Sequence, residues 1–184
     1  MLIDSHMHMG QFFNDYFTAK YVYDFTRICE INKFLVSSTS TCENDIEKVL
    51  KEFKRLYEIA KGHILPCLWL TETILDSPKY NLYFESGIHW YCIKIHPSLY
   101  PNEWQVGSAK MKSLISLAHS LEIPLLIHTG YDIICRSDKY EKEIASNPDV
   151  MFILAHGRPL DASLTILKSY PNVYVDTAFM SPED

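Results

Sequence analysis

Seven short apolar runs, each about the length of a β-strand, recur along the chain. They are rich in Ile, Leu, Val, Phe and Tyr, which favour buried strands. We predict strands at residues 2–9, 33–39, 63–70, 90–96, 124–129, 151–156 and 172–177. No low-complexity linker separates these runs, and 184 residues are enough for one domain with a substantial core. We therefore predict a single domain over residues 1–184.

Segments with helical periodicity lie between the predicted strands. The clearest is residues 42–62, where apolar side chains recur every three or four positions and Gly62 ends the pattern. Residues 108–124 show the same periodicity. Shorter helices are predicted over 21–31, 138–148 and 161–171, and residues 78–87 form one turn or a loop. Strands that alternate with helices through short connections imply an α/β fold with a parallel sheet.

The composition and charge of the chain argue against some classes of binding partner. The chain is 47% hydrophobic and 22% charged, which is typical of a globular protein. Its formal charge of −6 and the lack of a basic cluster argue against nucleic-acid binding. No apolar run is long enough to span a membrane. The five cysteines are scattered without CxxC spacing, so we predict reduced thiols in a cytoplasmic protein. A homo-oligomer is left open.

The first strand contains two histidines in the stretch IDSHMHMG. Residues i and i+2 of a strand point to the same side, so His6 and His8 project together. Two such imidazoles are able to converge on one metal ion. Two polar residues facing water at a strand end are the simpler interpretation, and this motif alone does not decide between the two.

Ionisable residues recur at the carboxyl ends of later strands: Lys94 and His96, His128, His156, and Asp176. A parallel sheet covered on both faces reads as continuous apolar sequence, so such residues need partners there. In a (β/α) barrel all these strand ends converge on one mouth, whereas an open sheet spreads them along an edge. No GxGxxG or GxxxxGK motif follows a predicted strand. We therefore predict a TIM-type barrel, here with seven strands.

The ordered set HMH, KIHP, IHTG, LAHGRP and NVYVDT resembles the amidohydrolase superfamily. More narrowly, it is similar to the small amidohydrolase-related metal-dependent hydrolases that begin directly at their first strand. The likeness covers almost the whole chain. It implies a TIM barrel whose divalent metal activates water to attack an amide, ester or lactone carbonyl of a small molecule.

The resemblance also assigns residues to the metal. His6 and His8 match the ligands of the first strand, and His128 matches the ligand of the fifth. His156 matches a sixth-strand histidine that is either a ligand of a second metal or a catalytic residue that contacts substrate or moves a proton. The expected metal is zinc, with one ion, or two if Lys94 is carbamylated by CO₂. An unmodified Lys94 that orients an anion is slightly favoured.

His96 and Arg158 are the candidate substrate-binding residues. Arg158 has the chemistry to bind a substrate carboxylate, and an exposed loop arginine is an equally weighted alternative. Aromatic side chains line the pocket or, more often in such sequences, contribute packing; they are Phe12, Phe13, Tyr16, Phe17, Tyr100 and Trp104.

Two other functions stay open at this point. Decarboxylases of the same superfamily share the first-strand histidines and the fifth-strand histidine, and nothing in the sequence separates hydrolysis from decarboxylation. A non-catalytic remnant that binds metal or a partner is the alternative from another class.

The sequence departs from the family at one position. The resemblance implies an aspartate at the end of an eighth strand, which takes a proton from the attacking water. The sequence ends at MSPED after the seventh predicted strand, about 60 residues short of the usual ~250-residue barrel, and neither Glu183 nor Asp184 ends an apolar strand. We expect a fragment or a degenerate barrel that is inactive alone and associates through its open edge. Asp176 is then the first alternative catalytic base.

Overall fold

A computed structural model of the protein describes residues 1–99 and 104–178. The chain divides into two compact units, Met1–Tyr91 and Cys92–Asp184, called here the first and second unit. Tyr100, Glu183 and Asp184, which the sequence singled out, lie outside the described residues.

The first unit contains strands β1 (Ile3–Phe12), β2 (Asp15–Phe17), β3 (Lys33–Ser38) and β4 (Ile64–Trp69) in the order β2–β1–β3–β4. β1, β3 and β4 run parallel, while β2 pairs antiparallel with the end of β1. Helices α1 (Ala19–Ile28) and α2 (Ile46–Ile59) connect the parallel strands. α3 (Glu72–Leu75) and α4 (Leu82–Glu85) are single turns that follow β4.

The second unit contains β5 (Cys92–Ile95), β6 (Leu125–His128), β7 (Phe152–Ala155) and β8 (Val173–Val175), which are parallel and adjacent in that order. Helices α5 (Ala109–Leu121), α6 (Glu141–Ser146) and α7 (Leu160–Ser169) connect them. The register places Lys94 beside Leu126 and His128 beside Ala155. Because the strands are parallel, the residues that follow each strand lie at the same edge of this sheet.

The two longest helices each bury a stripe of apolar side chains. α2 begins after Asp45, whose side chain accepts the Lys48 N–H, and it buries Ile46, Val49, Leu50, Phe53 and Leu56. α5 begins after Ser108, which caps it in the same way, and it buries Met111, Leu114, Ile115 and Ala118. Each large side chain buried in this way contributes about 1.5–3 kcal/mol. Among residues 1–99 and 104–178, no helix has both the length and the apolar character needed to cross a membrane.

The predicted alternation is confirmed: a strand overlaps each of the seven predicted runs, with β1 extending three residues beyond its run. Pairing between successive parallel strands is observed within each unit. Residues 78–87 contain a single helical turn, as expected. The sequence did not predict β2 or α3. β2 lies in QFFNDYF, where aromatic residues occur without a period of two, and its turn carries Phe13 and Asn14 instead of the glycine that signals a hairpin.

Gly10 is required where β1 passes close to the segment after β3. Its φ is +100°, and an added Cβ would overlap the Thr39 Oγ1 atom. We expect Gly10→Ala to lower the free energy of unfolding by about 2–4 kcal/mol, because it combines backbone strain with a steric clash. Gly62→Ala is the matched control: its φ is +77° and no atom lies within 4 Å, so backbone strain alone should cost about 1–2 kcal/mol. Urea unfolding of both variants measures the difference, and equal losses would contradict it.

Candidate metal centre and its surroundings

The first unit brings His6 and His8 into direct contact on β1. Their Nε2 atoms lie 3.2 Å apart, and the ring centroids are 5.1 Å apart at an interplanar angle of 57°. A β-bulge between Asp4 and Met7 interrupts the pairing of β1 with β3 at this point. The Asp4 Oδ1 atom accepts the His6 N–H at 2.9 Å and so stabilises the bulge. Bulges of this kind re-aim side chains, which accounts for the closeness of the two rings.

His8 is also contacted by residues of β1, β3 and β4. The Ser37 hydroxyl, buried at the end of β3, lies 3.1 Å from His8 Nδ1. The Phe12 ring stacks 6.2 Å from the His8 ring, and the Trp69 ring lies 5.6 Å away. When the Nδ1–H donates to Ser37, the lone pair of His8 is on Nε2, the atom that faces His6.

The separation of the two Nε2 atoms fits a divalent metal. Zinc binds imidazole nitrogen at about 2.0–2.1 Å, so two ligands of a tetrahedral ion lie about 3.3–3.4 Å apart. The observed 3.2 Å is close to this value, whereas it is at the long end of the range for a hydrogen bond between two rings. Imidazole nitrogen is also a donor that zinc and other transition metals prefer. The residues present therefore fit the metal that the resemblance implies.

The second unit collects three imidazoles at one edge of its sheet; we call His96, His128 and His156 the histidine cluster. The rings of His96 and His128 stack at a centroid distance of 3.5 Å and an angle of 14°. His128 Nδ1 lies 3.2 Å from His156 Nε2, and these two rings meet edge to face. The Ser98 hydroxyl lies 3.2 Å from His96 Nδ1. The parallel register of β5, β6 and β7 produces this convergence.

His156 has an unusual backbone that Asp176 fixes. Its φ is +66°, a left-handed conformation that is uncommon outside glycine. The Oδ1 atom of buried Asp176 accepts the N–H groups of His156, at 2.9 Å, and of Ala178, at 3.1 Å. The Ala178 carbonyl lies 2.8 Å from His156 Nδ1, so this nitrogen carries the hydrogen and donates it. The lone pair of His156 is then on Nε2, toward His128.

Lys94 and Arg158 are the basic side chains among the predicted site residues of the second unit. Lys94 lies within β5 with only 1% of its surface exposed, and an amino group so deeply buried requires polar or charged partners. Arg158 is half-buried in the loop after β7. Its backbone N–H donates to Thr129 Oγ1 at 3.0 Å, and its guanidinium carbon lies 5.7 Å from the centroid of the Tyr131 ring.

The predicted site residues divide between the units. The first unit contains His6 and His8, and the second unit contains Lys94, His96, His128, His156, Arg158 and Asp176. Trp104 is buried, which favours the packing role for it. Sequence reasoning missed Ser37 and the Ala178 carbonyl. The buried polar run SSTST, which begins at Ser37, is the sequence signal that could have indicated the role of Ser37. The Ala178 carbonyl belongs to the backbone and therefore leaves no signal in the sequence.

A second polar cluster in the first unit joins β2 to the end of β3. The Glu52 carboxylate of α2 accepts hydrogen bonds from the hydroxyls of Tyr16, Ser38 and Ser40. Burial and the Glu52 carboxylate raise the pKa of Tyr16 to about 12, so its hydroxyl stays protonated near neutral pH and continues to donate. The Lys48 Nζ atom lies 5.9 Å from the centroid of the Tyr16 ring. These contacts anchor β2.

Comparisons with known proteins bear on the fold. No protein-family model and no curated protein sequence matches the chain. Among solved structures, an uncharacterised TIM-barrel protein from Bordetella bronchiseptica has a TM-score of 0.69 and 9% identity, and the match covers 96% of this chain and 74% of that one.

Two further solved structures with similar folds carry enzyme names. The dihydroorotase from Campylobacter jejuni has a TM-score of 0.63 and 16% identity, over 95% of this chain and 53% of that one. A probable 2-pyrone-4,6-dicarboxylic acid hydrolase from Acinetobacter baumannii, with citric acid bound, has a TM-score of 0.60 and 8% identity, over 96% and 69%.

These likenesses confirm the predicted fold class, which is α/β of the TIM-barrel kind. The chain spans about half the length of the dihydroorotase. At these identities the comparison establishes the fold alone. The fold agrees with the resemblance to the amidohydrolase superfamily that the sequence motifs carry.

Proposed function

We propose that the protein is a metal-dependent hydrolase that acts on an amide, ester or lactone carbonyl of a small molecule. His6 and His8 hold the divalent metal, which we take to be zinc. The observation that carries the proposal is the 3.2 Å separation of the His6 and His8 Nε2 atoms, since it matches the spacing of two zinc ligands.

When bound, the metal supplies Lewis acidity, which lowers the pKa of water to about 7 and polarises a carbonyl oxygen. His156 provides the proton-handling group in the form with one metal. Its Nδ1–H is anchored on the Ala178 carbonyl, so a proton is accepted and returned at Nε2. In the form with two metals the same Nε2 atom is a ligand instead, and a carbamylated Lys94 is the anionic group that accompanies it.

The remaining charged residues act on the substrate in this proposal. Arg158, with its backbone fixed by Thr129, is placed to bind a carboxylate with its guanidinium. His96, stacked on His128, donates a hydrogen bond to a substrate oxygen. Asp176 positions His156 through the backbone contacts described above, and its use as the base is the further hypothesis that a variant must test.

The direct test uses the full chain purified without chelator. We expect zinc to raise the melting temperature. We expect the chain, extended by the eighth strand that the resemblance implies, to hydrolyse at least one member of a panel of carboxylate-bearing amides, esters and lactones when it is loaded with zinc. Removal of zinc with a chelator should abolish turnover, and re-addition should restore it. Absence of a thermal shift with Zn²⁺ or Mn²⁺ would contradict the metal site. Release of CO₂ from the panel without hydrolysis would assign decarboxylation instead.

Ser37→Ala tests whether the support of His8 matters for the metal. Loss of the hydroxyl removes the Ser37 contact from His8 Nδ1 and leaves the ring less well oriented, so we expect zinc affinity to fall about 10- to 100-fold. Ser38→Ala is the matched control on the same strand, because Ser38 donates to Glu52 and not to a histidine. Competition titration with a chromophoric zinc chelator measures both variants. Equal affinities for the two variants would contradict the assignment.

A further inference from the structure

The tip of the β1–β2 hairpin places an aromatic residue in a backbone conformation that favours glycine. Phe12 pairs with Asp15, so Phe13 and Asn14 form the two-residue turn. Phe13 has a φ of +52°, and Asn14 is not in the positive region. A positive φ at the first central position of a two-residue hairpin turn is usually supplied by glycine. A bulky side chain with positive φ is a genuine outlier.

Packing does not account for the presence of Phe13. Its side chain is 86% exposed, and the ring contact observed for it is an edge-to-face contact with Phe12 at 4.8 Å. Backbone strain without compensating burial is a mark of functional positions. Phe12 in turn lies nearly parallel to the His8 ring, at 17° and 6.2 Å. The two phenylalanines therefore extend from the metal-binding histidines to the solvent.

The hairpin that carries these rings is held firmly at its base. The Tyr16 hydroxyl donates to Glu52, which also accepts from Ser38 and Ser40. At the tip, the Gln11 side-chain amide donates to the Phe13 carbonyl at 2.7 Å. A rigid support of this kind keeps the exposed ring at a fixed place, as a binding surface requires.

We propose that Phe12 and Phe13 form an aromatic wall that binds a flat, aromatic or conjugated ring of the substrate beside His6 and His8. The inference rests on the proposed hydrolase function and narrows its substrate class. Aromatic rings gain from stacked or edge-to-face contact beyond the burial of apolar area, and a puckered aliphatic ring of the same size gains less. The aromatic wall therefore favours flat substrate rings over puckered ones. The charge of the substrate is recognised by other residues.

The test compares two probes that differ in ring shape. Benzoate and cyclohexanecarboxylate carry the same charge on six-membered rings, one flat and one puckered. We expect ligand-observed NMR titration of the zinc-loaded full chain to give about 2- to 10-fold tighter binding of benzoate. Phe13→Asn should remove this preference and keep the melting temperature at or above that of the parent protein, because asparagine tolerates positive φ. Phe13→Trp should retain the preference.

Controls separate this proposal from the function on which it rests. Phe25→Ala removes an exposed ring of α1 and should leave the preference unchanged. If zinc does not bind, the hydrolase proposal fails, and the ratio of the two affinities is then measured on the metal-free protein. Equal affinities for the two probes, or the same ratio in Phe13→Asn, would overturn the aromatic wall. Self-association that depends on Phe13, without any preference for the flat ring, would overturn it also.

Discussion

Replacement of His8 by alanine is expected to abolish zinc binding and hydrolysis together. His8 offers its Nε2 atom toward that of His6, with Ser37 on its other nitrogen, so the variant removes one of the two proposed ligands. Loss of an outer-shell partner alone costs about 10- to 100-fold in affinity, and loss of a ligand should exceed this. Chelator competition measures the affinity, and turnover with the responsive substrate of the panel measures activity.

His89→Ala is the control for this variant. His89 is an exposed histidine of the same unit that contacts the Tyr91 ring. We expect its zinc affinity and activity to equal those of the parent protein. His6→Ala should behave as His8→Ala does. If either variant of β1 keeps both zinc and turnover, the two histidines are not ligands, and their contact is a hydrogen bond of structural origin.

Asp176→Ala is expected to produce the second large effect, on stability. The Oδ1 atom of Asp176 satisfies two backbone N–H groups, one of them on the strained His156. Alanine leaves both donors without this acceptor, so the free energy of unfolding should fall by about 2–4 kcal/mol. Asp149→Ala, an exposed position of the same unit, should change stability by less than about 0.5 kcal/mol. Urea unfolding provides the measurement.

Asp176→Asn separates the positioning role from the catalytic one. Asparagine keeps a side-chain oxygen for the same N–H groups, so most of the stability should return. If Asp176 only positions His156, activity should fall by less than about 10-fold, in line with the loss of one charge-assisted hydrogen bond. A stable Asp176→Asn protein with activity reduced by more than about 1000-fold would identify Asp176 as the catalytic base.

Local sequence patterns predicted the strands and helices well because those patterns report burial. Alternation and runs of Ile, Leu and Val mark positions that face a core, and the stripe of α2 is one of the clearest. The β1–β2 hairpin was not predicted, because the usual sequence signal of a hairpin is a glycine in its turn and Phe13 takes that position here. The exception is itself the basis of the aromatic wall.

The sequence predicted the residue types of the candidate site and some of its contacts. The spacing of His6 and His8 made their proximity predictable, since residues two apart on a strand share a face. The clamp of Asp176 on His156 was not predictable, because it joins a side chain to a backbone N–H twenty residues away. The support of His8 by Ser37 likewise depends on the register of β1 against β3, which the sequence alone does not fix.

The most direct test of the account is X-ray absorption at the zinc K-edge of the zinc-loaded full chain. The account predicts nitrogen scatterers at about 2.0–2.1 Å with the outer-shell scattering of at least two imidazoles. It also predicts that any zinc retained by His8→Ala shows one imidazole fewer. A shell of oxygen atoms without imidazole scattering, or an unchanged imidazole count in His8→Ala, would contradict the claim that His6 and His8 hold the metal.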